Sequence, residues 1–537
     1  MKSPSWKPAT GFKGLTENWK DDLLSGFLVS LIALPLSLSI AGASGFPPIM
    51  GVVTAIVGGV LVSFLTNSEL TIKGPAIGLI TIAGGAADEL GRGDVAAGWR
   101  LALGAIVVAG LIQILIGLLQ LPKFGDFFPL SAVHGMLAAI GIIIMSKQIH
   151  LAVGIAPAEL KGKGPLELLE MVPHSLMHME YHIAIIGLVG LMIMFGWKYL
   201  SFSFFKTIPP ALVVLVVGIV LGRCFHLSEP VYRDIKPLIT PGEFTFARHV
   251  DFGGMKGNLL PVFLKYVALF ALIGSLESLL TVRAIDLLDP FKRKADPSRD
   301  LIAVGAGNVM AGILGGLPMI SEAVRSSANI CNGGKTRWAN LFHGIFLLIF
   351  VTFLSPVVKM VPIAALATML IFVGFRMASP VEFEHIYYIG KEQLIIFMVT
   401  IVASLTTGIL TGIGWGILTK MVIQQFYGVK LSQIFNIKVE VWAEKDTYFV
   451  RLSGAAVFTN YLGLKGKLEG LPKGKVVQID FSGAHYVDHT FMGNITGFLN
   501  EYEQTGGHME LLGFEHHIAL SDHPLAARKN LRETVLS

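Results

Sequence analysis

Up to Gln425 the chain is built almost wholly of apolar runs separated by short polar breaks. A helix needs about twenty mainly apolar residues to span a hydrocarbon core, where every backbone group must be satisfied within its own segment. The runs therefore predict membrane helices, beginning near Leu24, Ile49, Leu101, Pro129, His182, Pro209, Leu259, Leu301, Trp338, Val361, Gln393 and Thr407. Two further segments are short and broken. Lys73-Gly-Pro-Ala-Ile-Gly-Leu-Ile80 follows the extended Glu69-Leu-Thr-Ile72 and opens only about a dozen apolar residues, short of a full span. Leu317-Pro-Met-Ile-Ser-Glu-Ala-Val-Arg-Ser326 follows Gly315-Gly316 and also begins extended.

These fourteen segments divide seven and seven, with a broken segment third in each half: a first repeat over about 23–225 and a second over about 259–427. Matched breaks are the pattern of an inverted repeat, in which the discontinuous helices meet near the midplane and build a substrate site. The predicted fold is an α-helical polytopic membrane protein. Residues 1–22 form a polar N-terminal segment and 428–437 a linker. From 438 to 537 the pattern changes. Val439–Trp442, Tyr448–Leu452, Val476–Phe481 and Met509–Leu512 read as strands, and Tyr461–Leu468 and Phe491–Gln504 as helices, giving a small α/β domain. It carries no phosphate loop, metal cluster or catalytic constellation, so regulation, assembly or partner binding is its expected role.

Composition supports the membrane assignment: 53% of residues are hydrophobic and only 15% charged, which excludes an ordinary soluble enzyme. The net charge of +5 implies no nucleic-acid surface. Lys2, Lys7, Lys13 and Lys20 precede the first span and place the N-terminus in the cytoplasm of a cell (inner) membrane. An even number of crossings returns the C-terminus to that side, and Lys292-Arg-Lys294 with Arg299 also falls inside. The loops His150–Tyr181 and Arg223–Asn258 then fall outside. Cys224 and Cys331 lie in or beside apolar stretches without metal-ligand spacing and read as packing residues.

An anion at the midplane has lost its water and needs donors and positive potential. Helix N-termini supply both, which singles out the N–H groups around Ala76, Ile77 and Gly78, and those around Glu322, Ala323 and Val324. Gly74 and Pro75 suit the entry of the first half-helix, the glycine by allowing close backbone approach and the proline by tolerating the first helical position, and Ser321 suits a cap of the second. Arg325, with Ser326 beside it, is an arginine inside an otherwise uncharged stretch; it either attracts substrate or pairs with Glu322 or Glu277. Glu277 and Thr281 share one helical face, so the carboxylate and hydroxyl could hold Na⁺, or the glutamate could carry a proton. Glu322 reads as a protonatable group or a cap. Ser37 and Ser39 follow Pro35 in the first span and either meet substrate or bond back to their own helix. His134, His150 and His182 fall near span ends and read as interfacial.

These residues resemble the sulfate permease family (SulP). The likeness rests on Leu34-Pro35 and Ser44-Gly-Phe-Pro-Pro48, on Gly74-Pro75, on Leu276-Glu-Ser-Leu-Leu-Thr281, and on Gly315-Gly-Leu-Pro318 through Arg325 to Gly333-Gly-Lys-Thr336. The tail resembles that family's STAS domain, with Val487-Asp-His-Thr490 at a loop phosphorylated in related anti-sigma-factor antagonists; Asp-His-Thr-Phe departs from the usual Asp-Ser-Ser/Thr-Gly. The resemblance implies a core bundle moving against a gate bundle, a homodimer formed through the gate bundle and the tail, and no enzymatic activity or cofactor beyond a coupling ion. It implies transport of a small inorganic or carboxylate anion, with bicarbonate or sulfate ahead of dicarboxylates. Sodium-coupled relatives carry aspartate where Glu277 stands. A Na⁺ site here would use Glu277, Thr281, Ser321 and Ala323, and H⁺ is the alternative coupling ion. A nucleobase:proton symporter of the same fold is the second reading. A membrane-anchored sensor acting through its tail is the third.

Overall fold

The computed structural model describes residues 8–120, 129–160, 163–199, 209–229, 232, 238, 249–472, 474–503 and 506–530. Lys2, Lys7, most of the 230–248 loop and the last seven residues, whose roles were expected above, lie outside that set. The chain divides into two compact units, one formed by Met1–Pro122 with Gly141–Arg376 and the other by Lys123–Ile140 with Met377–Ser537.

In the first unit the helices are α1 (Gly11–Ala43), α2 (Pro48–Val60), α3 (Val62–Leu65), α4 (Ile80–Gly91) and α5 (Val95–Leu118). Then come α6 (Leu130–Ala152, its first part in the second unit), α7 (Pro165–Met177), α8 (Tyr181–Gly196) and α9 (Pro210–Cys224). The series continues with α10 (Leu260–Leu288), α11 (Pro297–Ile313), α12 (Ala323–Cys331), α13 (Trp338–Val358) and α14 (Ile363–Met377). Strand β1 (Ile72–Pro75) precedes α4, and strand β2 (Met319–Glu322) precedes α12. Asp94 and Asp296 start α5 and α11 by accepting two backbone N–H groups each, and Pro297 sits at the tolerated first position. Among the described residues six helices are alone long and apolar enough to cross a membrane, and α7 with α8, bent by 116°, make a seventh if the pair counts as one span.

The helices pack through small residues, as membrane helices do. A Cβ on Gly110 of α5 would stand 2.8 Å from the Gly305 carbonyl of α11, and one on Gly59 of α2 would stand 2.5 Å from the Gly344 Cα of α13. The first helix begins at Gly11, well before the apolar run at Leu24. Polar residues there are buried against the start of α13: Asp22 accepts from the Lys335 and Thr336 N–H groups at 2.8 and 3.0 Å, and Trp338 Nε1 donates to Gly11 O at 2.7 Å. The 1–22 segment is thus partly helix.

Two side-chain readings are corrected. Cys224 and Cys331 are exposed, not packed, because both end a helix. His150 is buried within the protein: it bonds Ser175 Oγ at 2.8 Å and Leu168 O at 2.9 Å, since α7 folds back over it.

The second unit holds α15 (Pro380–Ile389), α16 (Lys391–Thr407), α17 (Ile409–Phe426), α18 (Leu431–Phe435) and the α/β domain. That domain comprises β3 (Lys438–Glu444), β4 (Thr447–Ala456), α19 (Tyr461–Glu469), β5 (Val476–Val487), α20 (His489–Glu503), β6 (His508–Leu512), β7 (His517–Ala519) and β8 (Arg528–Asn530). The sheet runs β3-β4-β5-β8-β7, with β6 parallel to β5 beside β8. Val450, Leu452, Ile479 and Phe481 face Leu464, Phe491 and Ile495 in its core. The expected strands and helices are present. The sequence pattern missed β7 and β8, which are short and polar and exist only through pairing.

Candidate functional site

The broken segments meet. β1 and β2 form an antiparallel ribbon, with Ile72 opposite Glu322, Lys73 opposite Ser321, Gly74 opposite Ile320 and Pro75 opposite Met319; all eight residues are buried. Antiparallel pairing satisfies the backbone where neither segment is yet helical, which a hydrocarbon interior demands. Gly74 and Pro75 therefore belong to a strand, and α4 starts only at Ile80. Ser321 is likewise a strand residue; Glu322 stands at the cap position of α12 without bonding its N–H groups through its side chain.

A buried charge pair locks the ribbon. Lys73 Nζ donates to Asp300 Oδ1 of α11 at 2.6 Å and to Ser321 Oγ at 2.5 Å, while Thr66 Oγ1 donates to Asp300 at 2.7 Å. Neither charged side chain is more than 1% exposed. The Ser321 hydroxyl is thus turned to Lys73 and Asp300, and its N–H donates to Ser278 Oγ at 3.1 Å. Sequence reasoning missed Lys73 and Asp300. A lysine inside an apolar broken segment was the available signal, since such a charge needs a partner.

The N–H groups at the entry to α4 are taken. Ala76 N donates to Pro318 O at 3.0 Å, Ile77 N to Glu322 Oε1 at 3.4 Å, and Gly78 N to the Glu277 carboxylate. A Cβ on Gly78 would overlap that carboxylate. Two glutamates therefore occupy the places where the sequence pattern expects an anion. Glu277 Oε2 has no hydrogen-bond partner.

Arg325 closes the other side. It is 0% exposed, and its Nη2 donates to Ser37 Oγ of α1 at 3.2 Å. Its Nε and Nη1 have no partner, and Nη1 fills the space that a Gly74 Cβ would need. Among the described residues no carboxylate stands within ion-pair distance of it. Glu322 acts on it electrostatically from one turn away. Ala323 is exposed and Val324 half-buried, so the first turn of α12 borders an opening.

The remaining candidates divide. Ser39 Oγ bonds back to Pro35 O at 2.8 Å, and Ser326 Oγ binds Glu322 O at 2.5 Å and accepts from Ile72 N at 2.8 Å, so both hold backbone. Thr281 is 7% exposed, one turn beyond Glu277. The arrangement gathers a guanidinium with two free donors, two carboxylates and the first turn of α12 around the ribbon, and its donors are of the kind that hold an anion.

A family model described as the sulfate permease family matches residues 19–400. YvdB of Bacillus subtilis is 24% identical over 94% of this chain and 93% of its own length. The bicarbonate transporter BicA of Synechocystis is 25% identical over 74% of this chain and 68% of its own. The solved transmembrane domain of a cyanobacterial BicA covers 74% of this chain and 97% of its own at TM-score 0.63 and 23% identity. The murine Slc26a9 anion transporter in the inward-facing state covers 92% of this chain and 85% of its own at TM-score 0.66 and 16% identity. These structural likenesses establish the fold.

Proposed function

The chain belongs to the sulfate permease family, and from that premise we propose that it is a secondary active transporter of a small oxyanion, bicarbonate or sulfate before dicarboxylate. It is a multi-pass membrane protein. The observation that carries the reading is Arg325: a fully buried guanidinium with two unsatisfied nitrogens, facing Gly74 where only a glycine leaves it room. An arginine so placed is expensive unless an anion completes it in part of the cycle. Substrate would lie between the ribbon and Arg325, reaching the first turn of α12 through the opening at Ala323.

Glu277 and Glu322 supply the coupling in this reading. Each carboxylate occupies an N–H group that an incoming anion would use, so substrate and ionised carboxylate compete, and protonation relieves the repulsion. The commitment of Ser321 to Lys73 and Asp300 removes one oxygen from the set a sodium ion would need, which favours H⁺ over Na⁺. Alternating access would move the ribbon-bearing helices against the others. Cytoplasmic termini, a homodimer and a STAS-like regulatory role for the tail complete the proposal.

A nucleobase:proton symporter draws on the same two glutamates. Arg325 argues for the anion. Uptake into proteoliposomes of labelled bicarbonate, sulfate, dicarboxylates and uracil, under separate pH and Na⁺ gradients, separates the readings. Anion uptake driven by a pH gradient is expected; uracil uptake without anion uptake would refute the proposal.

A further inference from the structure

The loop that joins β5 to α20, Asp488-His489-Thr490, is covered by the last membrane helix. Lys420 Nζ of α17 donates to Thr490 Oγ1 at 2.8 Å and stands 3.4 Å from Asp488 Oδ2, with both charged side chains buried. Gln424, one turn along, donates to the same Asp488 oxygen at 2.9 Å. Asp488 also accepts from Phe458 N at 2.8 Å and from Phe491 N at 2.7 Å, so it ties the domain's own backbone to α17. Thr490 is 0% exposed and takes a second donor, Leu130 N of α6, at 3.3 Å. Tyr427 stacks on Tyr486 beside this lock, and Ser521 Oγ donates to Ile389 O of α15 at 2.6 Å.

A row of imidazoles leads from the surface to the lock. His385 of α15 is exposed, and its ring lies 6.1 Å from that of His523, which is partly buried. His523 in turn lies 6.1 Å from His489, which is buried, adjoins Asp488 in sequence and donates through Nδ1 to Leu525 O at 2.7 Å. Burial, with Lys420 nearby, holds the His489 imidazole down at about 4. Burial and then His385 lower that of His523. Near neutral pH His489 and His523 are therefore uncharged, and Lys420 is balanced by Asp488, with Glu392 of α16 acting on it from further away. The other groups facing the row are Tyr388, edge-on to His523, and Glu382, which pairs with His134 at 2.5 Å and feels His385. The carboxylates that act on these groups are Asp488, Glu392 and Glu382.

We propose that the His385–His523–His489 row is a proton-sensitive latch, which holds the α/β domain against α15 and α17 while neutral and loosens it when protonated. The partly buried His523 takes a proton before the buried His489. A cation on His523 then stands beside His489, on which Lys420 already acts, in surroundings that screen poorly, and like charges there repel. Relief comes by separating Lys420 and Gln424 from Asp488. This inference goes beyond the transport reading and does not depend on it.

Hydrogen–deuterium exchange of the full-length protein in lipid nanodiscs tests it, at about pH 7.5 and about pH 5.5 with intrinsic rates corrected. In the native protein, backbone amides over 486–492 and 519–527 should exchange about tenfold faster at the lower pH, the effect of about one unit of linked pKa. The double variant His385→Gln/His523→Gln should lose that response. Lys420→Met should exchange fast at both values. Equal exchange at both pH values in the native protein overturns the latch. So does a full response in the double variant, or native-like protection in Lys420→Met.

Discussion

Lys73 and Ser321 are cross-strand partners in the ribbon, and the Lys73 ammonium bridges them by donating to Ser321 Oγ at 2.5 Å and to Asp300 at 2.6 Å. The strands that bring Gly74 toward Arg325 and Glu322 toward Ile77 are thereby fixed by one ion pair. Any change to that pair is felt at the site through the backbone.

Replacing Lys73 by Met leaves Asp300 as a buried, uncompensated charge, a loss of about 3–5 kcal/mol in comparable cases. Removing both charges with Lys73→Met/Asp300→Leu should recover most of the thermal stability. Unfolding curves in detergent check this; a single variant as stable as the double one would refute the pairing.

Arg325 behaves in the opposite way. It is buried with two nitrogens unsatisfied, so Arg325→Met should abolish anion uptake while leaving thermal stability equal or higher. A large loss of stability would show instead that the arginine is structural.

Glu277 accepts from Gly78 N. Glu277→Gln keeps that acceptor but cannot titrate, so uptake should persist down the anion's own gradient and stop following the pH gradient. Gly78→Ala places a Cβ in the carboxylate's space and should impair transport whichever gradient is applied. Unaltered pH coupling in Glu277→Gln would remove the glutamate from coupling.

His489 gives the α/β domain an acid sensitivity of calculable sign. An unfolded histidine titrates near 6.5 and the folded one at about 4, so above 6.5 both states are neutral and stability is complete. As pH falls from about 6.5 to about 4 the unfolded state binds the extra proton, and roughly 3 kcal/mol is lost. His489→Gln, which can still donate to Leu525 O, should flatten acid unfolding of the full chain across that window. An unchanged acid midpoint would discount the histidine.

Much of the fold was legible in order and spacing. The broken segments announced themselves because Gly-Pro and Gly-Gly interrupt runs too short to span a bilayer, and Glu277 and Arg325 stood out as charges among apolar neighbours. The start of α1 at Gly11 was not legible, because Asp22 and Gly11 meet partners more than three hundred residues away. Ser39 and Ser326 bond backbone, and nothing in their spacing separates them from Ser37, which meets Arg325.

The sequence by itself determined a membrane protein with two broken segments and an appended α/β domain, since hydrophobic length and period are local properties of the chain. Tertiary structure alone decided that the broken segments pair as a ribbon, that Lys73 and Asp300 lock it, and that Glu277 and Glu322 sit on the N–H groups of Gly78 and Ile77. Those outcomes depend on which backbone donors and charges are left unsatisfied once distant segments meet in a medium without water, and no stretch of sequence contains that information.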